Sequence, residues 1–385
     1  MKTLISVLIV FNTVVAKCQL YPSFGSEIDV TITGLTFDAM EPFISTDGNY
    51  LFFNNLNDGI TTKLYYATKV NDSTFVYINQ VNGTNQITTP HLDAVADLDE
   101  LNNFYWTSTR NYPLELNNLF HGTFNSGNVV DIGRVNGDFN KNTPGWLVMD
   151  HGISYNGELL YFNNARFDSA NCIGPCETEL GIAQKVNDST FNQIPNSNQV
   201  LEHINDTSFI YYAPCVSSDN LELYYTRYLR DTITIATLFE ICVAVRNSSS
   251  DDFSIPIVLF SEPILDLIEA VTLTADKGIM YYHRKFNGSH KIVMRYRDSD
   301  VGGYENKEDV GVLKLFPNPT NGQIVVKTEL NYKSIKLSVS TLQGNEVFSI
   351  MNQTEFSVND LPAGTYFLKY EIDNKIGIEK FVKIE

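Results

Sequence analysis

Four carboxylates, Glu41, Asp93, Asp150 and Glu269, fall at equivalent points of a sequence that repeats itself. Carboxyl groups brought together from separate chain segments have a specific chemistry open to them. Hydrolysis of a glycosidic bond needs one protonated carboxyl as acid and one ionised carboxyl as nucleophile or base. Against that, an acidic chain places carboxylates on any solvated rim, where each caps a turn or binds water. Spacing fixes only which segment ends they occupy. Other chemistries lack their residues. The six histidines show no His-x-His or His-Glu-x-x-His spacing, so no metal site is expected. There is no Gly-x-Ser-x-Gly elbow and no phosphate loop, and no cofactor is expected.

What positions the carboxylates is a recurring aromatic block. It reads Leu51-Phe52-Phe53-Asn54-Asn55, Phe104-Tyr105-Trp106-Thr107-Ser108, Leu160-Tyr161-Phe162-Asn163-Asn164, Leu223-Tyr224-Tyr225-Thr226-Arg227 and Met280-Tyr281-Tyr282-His283-Arg284. Phe53, Trp106, Phe162, Tyr225 and Tyr282 follow one another at intervals of 53, 56, 63 and 57 residues, which makes five copies of one unit. A turn signal precedes four of the blocks, such as Ser45-Thr46-Asp47-Gly48 or Ser154-Tyr155-Asn156-Gly157; the second copy, Ala94 to Leu101, is degenerate and lacks the glycine. With a strand before each turn and two after each block, the unit has four strands. That count and period predict a five-bladed β-propeller over residues 19–297. The fifth copy is one strand short, and Glu27 to Thr33 alternates like a strand. It is expected to pair as the outer strand of the fifth blade and close the ring. The catalytic candidates Glu41, Asp93, Asp150 and Glu269 would then start the innermost strands at one channel mouth.

The Ser-x-Asp-Gly words followed by an apolar-aromatic pair are similar to the WD-repeat-like repeats of the periplasmic Tol-associated propellers, over roughly residues 27–297. Some five-bladed propellers are glycosidases. The leading expectation is nevertheless a non-catalytic module that binds a glycan, a peptide or a surface partner. A secreted glycoside hydrolase is the alternative.

The last residues have a character of their own. Leu315-Phe316-Pro317-Asn318-Pro319-Thr320-Asn321-Gly322 is an extended segment followed by a turn, with Gly322 expected to supply a positive φ. Alternating runs follow, with Gly344 and Gly364 at turn positions, and predict a small antiparallel immunoglobulin-like β-sandwich over 313–385. Four signatures stand in order: Phe316-Pro317-Asn318-Pro319 with Gly322, Gly344 before Val347, Gly364 with Tyr366, and a tail carrying Lys380 and Lys383. Together they resemble the type A C-terminal sorting domain of the Bacteroidota type IX secretion system. The resemblance implies the type IX machinery as a partner. It places the protein outside the cell or on its outer surface, by way of the periplasm.

The first residues agree. Met1-Lys2 and the apolar run Leu4 to Val15 are too short to span a membrane and predict a signal peptide over 1–18, leaving no transmembrane segment in the mature chain. Residues 298–312 are expected to be a linker. The net charge of -18 excludes nucleic acid as a ligand, since phosphates would be repelled. Cys172-Ile173-Gly174-Pro175-Cys176 is a loop whose ends can meet, so Cys172 and Cys176 are expected to form a local disulfide.

Overall fold

The computed structural model describes residues 21–168, 172, 174–230, 233–298, 313–328, 332–341, 346–372 and 375–384. The expected signal peptide 1–18, all but Asp298 of the expected linker, and Gly344 lie outside these residues. The protein is all-β, and the chain divides into two compact units, Met1–Asp300 and Val301–Glu385.

Five mainly antiparallel sheets make up the first unit, each built on the strand that precedes the aromatic block. Their first strands are Met40–Ile44, His91–Leu98, Trp146–Ile153, Phe209–Val216 and Ile268–Leu273. The second strands are Tyr50–Asn54, Asn103–Ser108, Leu159–Arg166, Glu222–Leu229 and Ile279–Phe286, and these carry the aromatic blocks. Each first strand packs beside the first strand of the next sheet, and that of the fifth packs beside that of the first. The N-terminal segment splits its pairing. Ile28–Asp29 pairs antiparallel with Ser289–Tyr296 as the outer strand of the fifth sheet, whereas Thr31–Thr33 runs parallel to Thr74–Gln80 at the outer edge of the first.

Packing explains the doublets. Successive side chains of a strand point to opposite faces, so two adjacent buried aromatics require a neighbour on both sides. Phe52 joins the cluster shared with the second sheet, which contains Trp106 and Phe120, while Phe53 joins the cluster shared with the fifth, which contains Tyr281 and Met294. Tyr161 and Phe162, Tyr224 and Tyr225, and Tyr281 and Tyr282 divide in the same way between the clusters on their two sides. Each fully buried aromatic stabilises the fold by roughly 1.5–3 kcal/mol, so the doublets dominate the cohesion between sheets.

The polar residue that follows the aromatics of each block has a job of its own. Asn54 Oδ1 accepts from the Val95 N–H, Thr107 Oγ1 donates to the Val148 carbonyl, and Asn163 Nδ2 donates to the Tyr211 carbonyl. Thr226 Oγ1 accepts from the Ala270 N–H, and His283 Nδ1 accepts from the Glu41 N–H. All five are buried, and each reaches the first strand of the following sheet. The receiving strand is bulged at that point in every sheet, between Met40 and Phe43, Ala94 and Asp97, Val148 and Asp150, Tyr212 and Cys215, and Glu269 and Thr272. A bulge frees a backbone group from its own ladder, and the neighbour's side chain satisfies it.

In the second unit, a three-stranded sheet (Lys314–Phe316, Gln323–Lys327, Glu355–Ser357) and a four-stranded sheet (Ile335–Thr341, Glu346–Met351, Gly364–Ile372, Lys375–Lys383) share one core. Ile324, Val326 and Phe356 from one face Leu337, Val339, Leu368 and Phe381 from the other.

Candidate functional site

The bulged ends of the first strands surround a cavity of about 540 Å³. Glu41, Asp150 and Glu269 all line it, with Tyr212 beside them. They arrive by two routes. Asp150, Tyr212 and Glu269 stand in the same ladder position, opposite Asn163, Thr226 and His283 respectively. Glu41 is instead a bulge residue in the left-handed region, at φ 49°, as are Val95, Ala213 and Ala270 in their own strands. A bulge re-aims the side chains around it, and here it turns Glu41 into the cavity.

Asp93 does not join them. The residue opposite Thr107 in the second sheet is Ala94, so Asp93 sits one position away, and a shift of one residue reverses the facing of a strand side chain. Asp93 is fully buried, accepting from the Gln86 N–H at 2.8 Å and from Arg110 Nη2 at 3.0 Å. Those bonds make it a structural ion pair, and the second copy offers Ala94 and Val95 to the cavity instead.

Electrostatics separates the three carboxyls that remain. Burial, with the charge of Glu269 adding to it, pushes Asp150 up to about 7. Burial also raises Glu41 well above the usual carboxylate range, helped by Asp150 and Glu269. Glu269 is buried too, but the His283 ring, the Tyr212 hydroxyl and His290 outweigh burial and hold it below the usual range. The Glu41 N–H donates to His283 Nδ1 at 3.1 Å, so the ring proton sits on Nε2, 3.1 Å from Glu269 Oε1. Tyr212 donates its hydroxyl to Glu269 Oε2. Asn57 Nδ2 donates to Glu41 Oε1 at 2.5 Å, while Glu41 Oε2 and Asp150 Oδ2 are shut from solvent without a hydrogen-bond partner. One ionised carboxylate therefore faces two carboxyls that resist ionisation.

Aromatic rings complete the wall: Phe167, Tyr228 and Phe239 line the cavity together with Leu147 and Ile264. Sequence reasoning did not single out these residues, nor His283 and Asn57 as partners of the carboxyls. Only His283 left a signal, as the one imidazole in the polar slot after an aromatic doublet. The Cys172–Cys176 disulfide, with Cα atoms 5.2 Å apart, closes a loop whose Gly174 and Pro175 reach the cavity rim. Cys215 and Cys242 are free thiols on the first and third strands of the fourth sheet.

In the second unit the Pro-Asn-Pro word clamps the last strand. Asn318 Nδ2 donates to the Lys380 carbonyl at 2.8 Å, and its Oδ1 accepts from the Val382 N–H at 3.0 Å. Thr320 extends the clamp, its N–H donating to the Val382 carbonyl and its carbonyl accepting from the Ile384 N–H, both at 2.8 Å. Gly322 is not in the left-handed region; a Cβ there would lie 1.9 Å from Asn359 Oδ1 and would make that side chain move. Gly364 has room for a Cβ. The Tyr366 ring stacks on Phe381 at 5.5 Å, with its hydroxyl donating to the Pro362 carbonyl. Lys383 is buried and donates to the Ile384 carbonyl, while Lys380 supplies a backbone acceptor to the clamp. Phe316 is half-exposed beneath Lys327.

Residues 314–385 match the family described as the secretion system C-terminal sorting domain. The second unit is a type IX sorting domain, which marks the chain for secretion or display on the outer cell surface. No curated protein is similar to the chain. Among solved structures, a family 117 glycoside hydrolase from Zobellia galactanivorans is 10% identical, with 72% of this chain and 91% of that one covered at a TM-score of 0.44. An endo-arabinase from Bacteroides thetaiotaomicron is 13% identical, covering 72% and 99% at 0.44. The endo-arabinanase of Bacillus licheniformis is 14% identical, covering 71% and 98% at 0.42. Likenesses this weak carry no argument about activity.

Proposed function

We propose that this is an exported five-bladed β-propeller that binds carbohydrate in the cavity at its mouth, delivered by an immunoglobulin-like sorting sandwich. The cyclic packing of the five first strands and the pairing of Ile28–Asp29 with Ser289–Tyr296 support a ring closed by the N-terminal segment. The observation that carries the ligand reading is the convergence of Glu41, Asp150 and Glu269 with Tyr212, Tyr228 and Phe239 on one cavity of about 540 Å³. That volume suits a small ligand, aromatic faces stack on sugar rings, and carboxylates accept from hydroxyls. Titration of the full chain with oligosaccharides of defined composition, in parent and Glu269→Gln forms, tests it. Saturable binding weakened by the substitution supports the reading, and binding indifferent to it defeats it.

One observation favours a second reading, hydrolysis of the bound glycan. Glu269 is held ionised while Asp150 keeps its proton to about pH 7. Asp150 would pass that proton to the leaving-group oxygen as the glycosidic bond breaks, and Glu269 would act as nucleophile or as base toward water. Release of reducing ends by the parent chain, and its loss in folded Asp150→Asn protein at saturating ligand, would establish turnover. Binding without release leaves the protein a lectin-like module.

A further inference from the structure

The cavity wall is one-sided in charge. Three carboxyls face it, and among the described lining residues there is no lysine, arginine or histidine. Asp150 is 3% exposed, and its Oδ2, like Glu41 Oε2, has no hydrogen-bond partner although it is sealed from solvent. Buried carboxyl oxygens ordinarily find a hydrogen-bond partner, and these two are left without one. An anionic sugar would meet Glu269 with no cation to offset the repulsion. A neutral sugar supplies hydroxyl donors but leaves the carboxyls unable to ionise together. An ammonium group answers each demand: it brings three donors, compensates the charge, and enters a cavity walled by the rings of Tyr228, Phe239 and Phe167.

We propose that the ligand is an amine-bearing sugar whose ammonium sits among Glu41, Asp150 and Glu269. This rests on the carbohydrate reading above and narrows it to one class. A consequence follows for protons. The titratable groups around the cavities that Asp150 lines are Glu41 from the first sheet, Asp97 from the second, His151 on its own strand, Tyr212 from the fourth, and Glu269 with His283 beside it from the fifth. None of these is a lysine or arginine, and His283 accepts at Nδ1, so the incoming ammonium brings a full positive charge that the group lacks. It favours the ionised form of Asp150 and Glu41, and binding expels protons to solvent.

Calorimetry on the full exported chain near pH 5.5, where the glucosamine amines carry their protons and Asp150 keeps its own, tests this with four probes of equal length: glucosamine oligomers, their N-acetylated counterparts, neutral glucose oligomers and galacturonic acid oligomers. The glucosamine series is expected to bind at least tenfold more tightly than the acetylated one. Its binding enthalpy should change with the ionisation enthalpy of the buffer, reporting proton release, and Asp150→Asn should diminish that release. Acetylated or neutral oligomers binding as tightly, or a buffer-independent enthalpy, would overturn the amine assignment while leaving carbohydrate binding in place. Failure of all four probes would overturn both.

Discussion

The Glu41 N–H donates to His283 Nδ1 and thereby fixes the imidazole proton on Nε2, facing Glu269. One side chain thus bridges the fifth sheet to the first and holds the carboxylate that remains ionised. In the first and third copies asparagine fills the same slot: Asn54 makes the link and also holds Asn57, the partner of Glu41, while Asn163 links to the Tyr211 carbonyl. His283→Asn is therefore expected to fold with near-parental stability. His283→Ala leaves the Glu41 N–H unpaired and should cost about 1–3 kcal/mol in urea unfolding. Both variants lose the Nε2–H, so the Glu269 pKa should rise and the acid limb of ligand binding should move to higher pH. An unmoved limb would show that His283 serves the fold alone.

Stability should carry the mark of the buried acids. Asp97, pushed up to about 7 by burial, lines a second cavity that also touches Glu41 and Asp150, its Oδ2 accepting from the Ile153 N–H at 2.7 Å. Unfolded, it ionises near pH 4; folded, it keeps its proton to about 7. Below pH 4 both states are protonated and the group is neutral in effect. Between 4 and 7 the unfolded chain has lost the proton, so folding becomes less favourable as pH rises. Asp97→Asn should gain on the parent across that interval by up to about 4 kcal/mol, read as the difference between their unfolding curves. A difference independent of pH would contradict the assignment.

Asp93 and Asp150 should behave oppositely. Asp93→Asn leaves the Arg110 guanidinium without its buried partner and should destabilise the fold by about 3 kcal/mol, without changing the affinity of the folded protein for its ligand. Asp150→Asn should spare stability and alter binding. Loss of affinity in a folded Asp93→Asn protein would return that residue to the site.

Export depends on the clamp at the end of the chain. Asn318→Ala removes two hydrogen bonds to the last strand, each worth about 1 kcal/mol, and is expected to lower the fraction of protein found outside the native host. Gly322→Ala should do the same by forcing Asn359 aside. Undiminished export of both would show that the machinery reads the tail without the clamp.

How far the sequence disclosed this protein depends on what each signal encodes. The aromatic doublets betrayed sheets buried on both faces, because only such a strand can bury adjacent rings like Tyr281 and Tyr282. Cysteine spacing and turn residues were enough for Cys172 and Cys176. The carboxylates were only partly legible. A bulge adds a residue that counting along the chain cannot see, and in the second copy, without its glycine, counting stopped at Asp93 where the ladder places Ala94. Glu41 reaches the cavity through a left-handed residue that no pattern announces. The walls come from scattered residues such as Phe167 and Ile264, each unremarkable in its own segment. Gly322 was noticed for the right reason of type and the wrong reason of geometry.

The central claim is that Glu41, Asp150 and Glu269 form one ligand site. A crystal structure of the chain soaked with glucosamine oligomers tests it most directly. The account predicts a sugar in the cavity, its amine within hydrogen-bond distance of Asp150 Oδ2 and Glu269, and a ring against Tyr228 or Phe239. A sugar bound elsewhere on the protein, with these three carboxyls untouched, would contradict it.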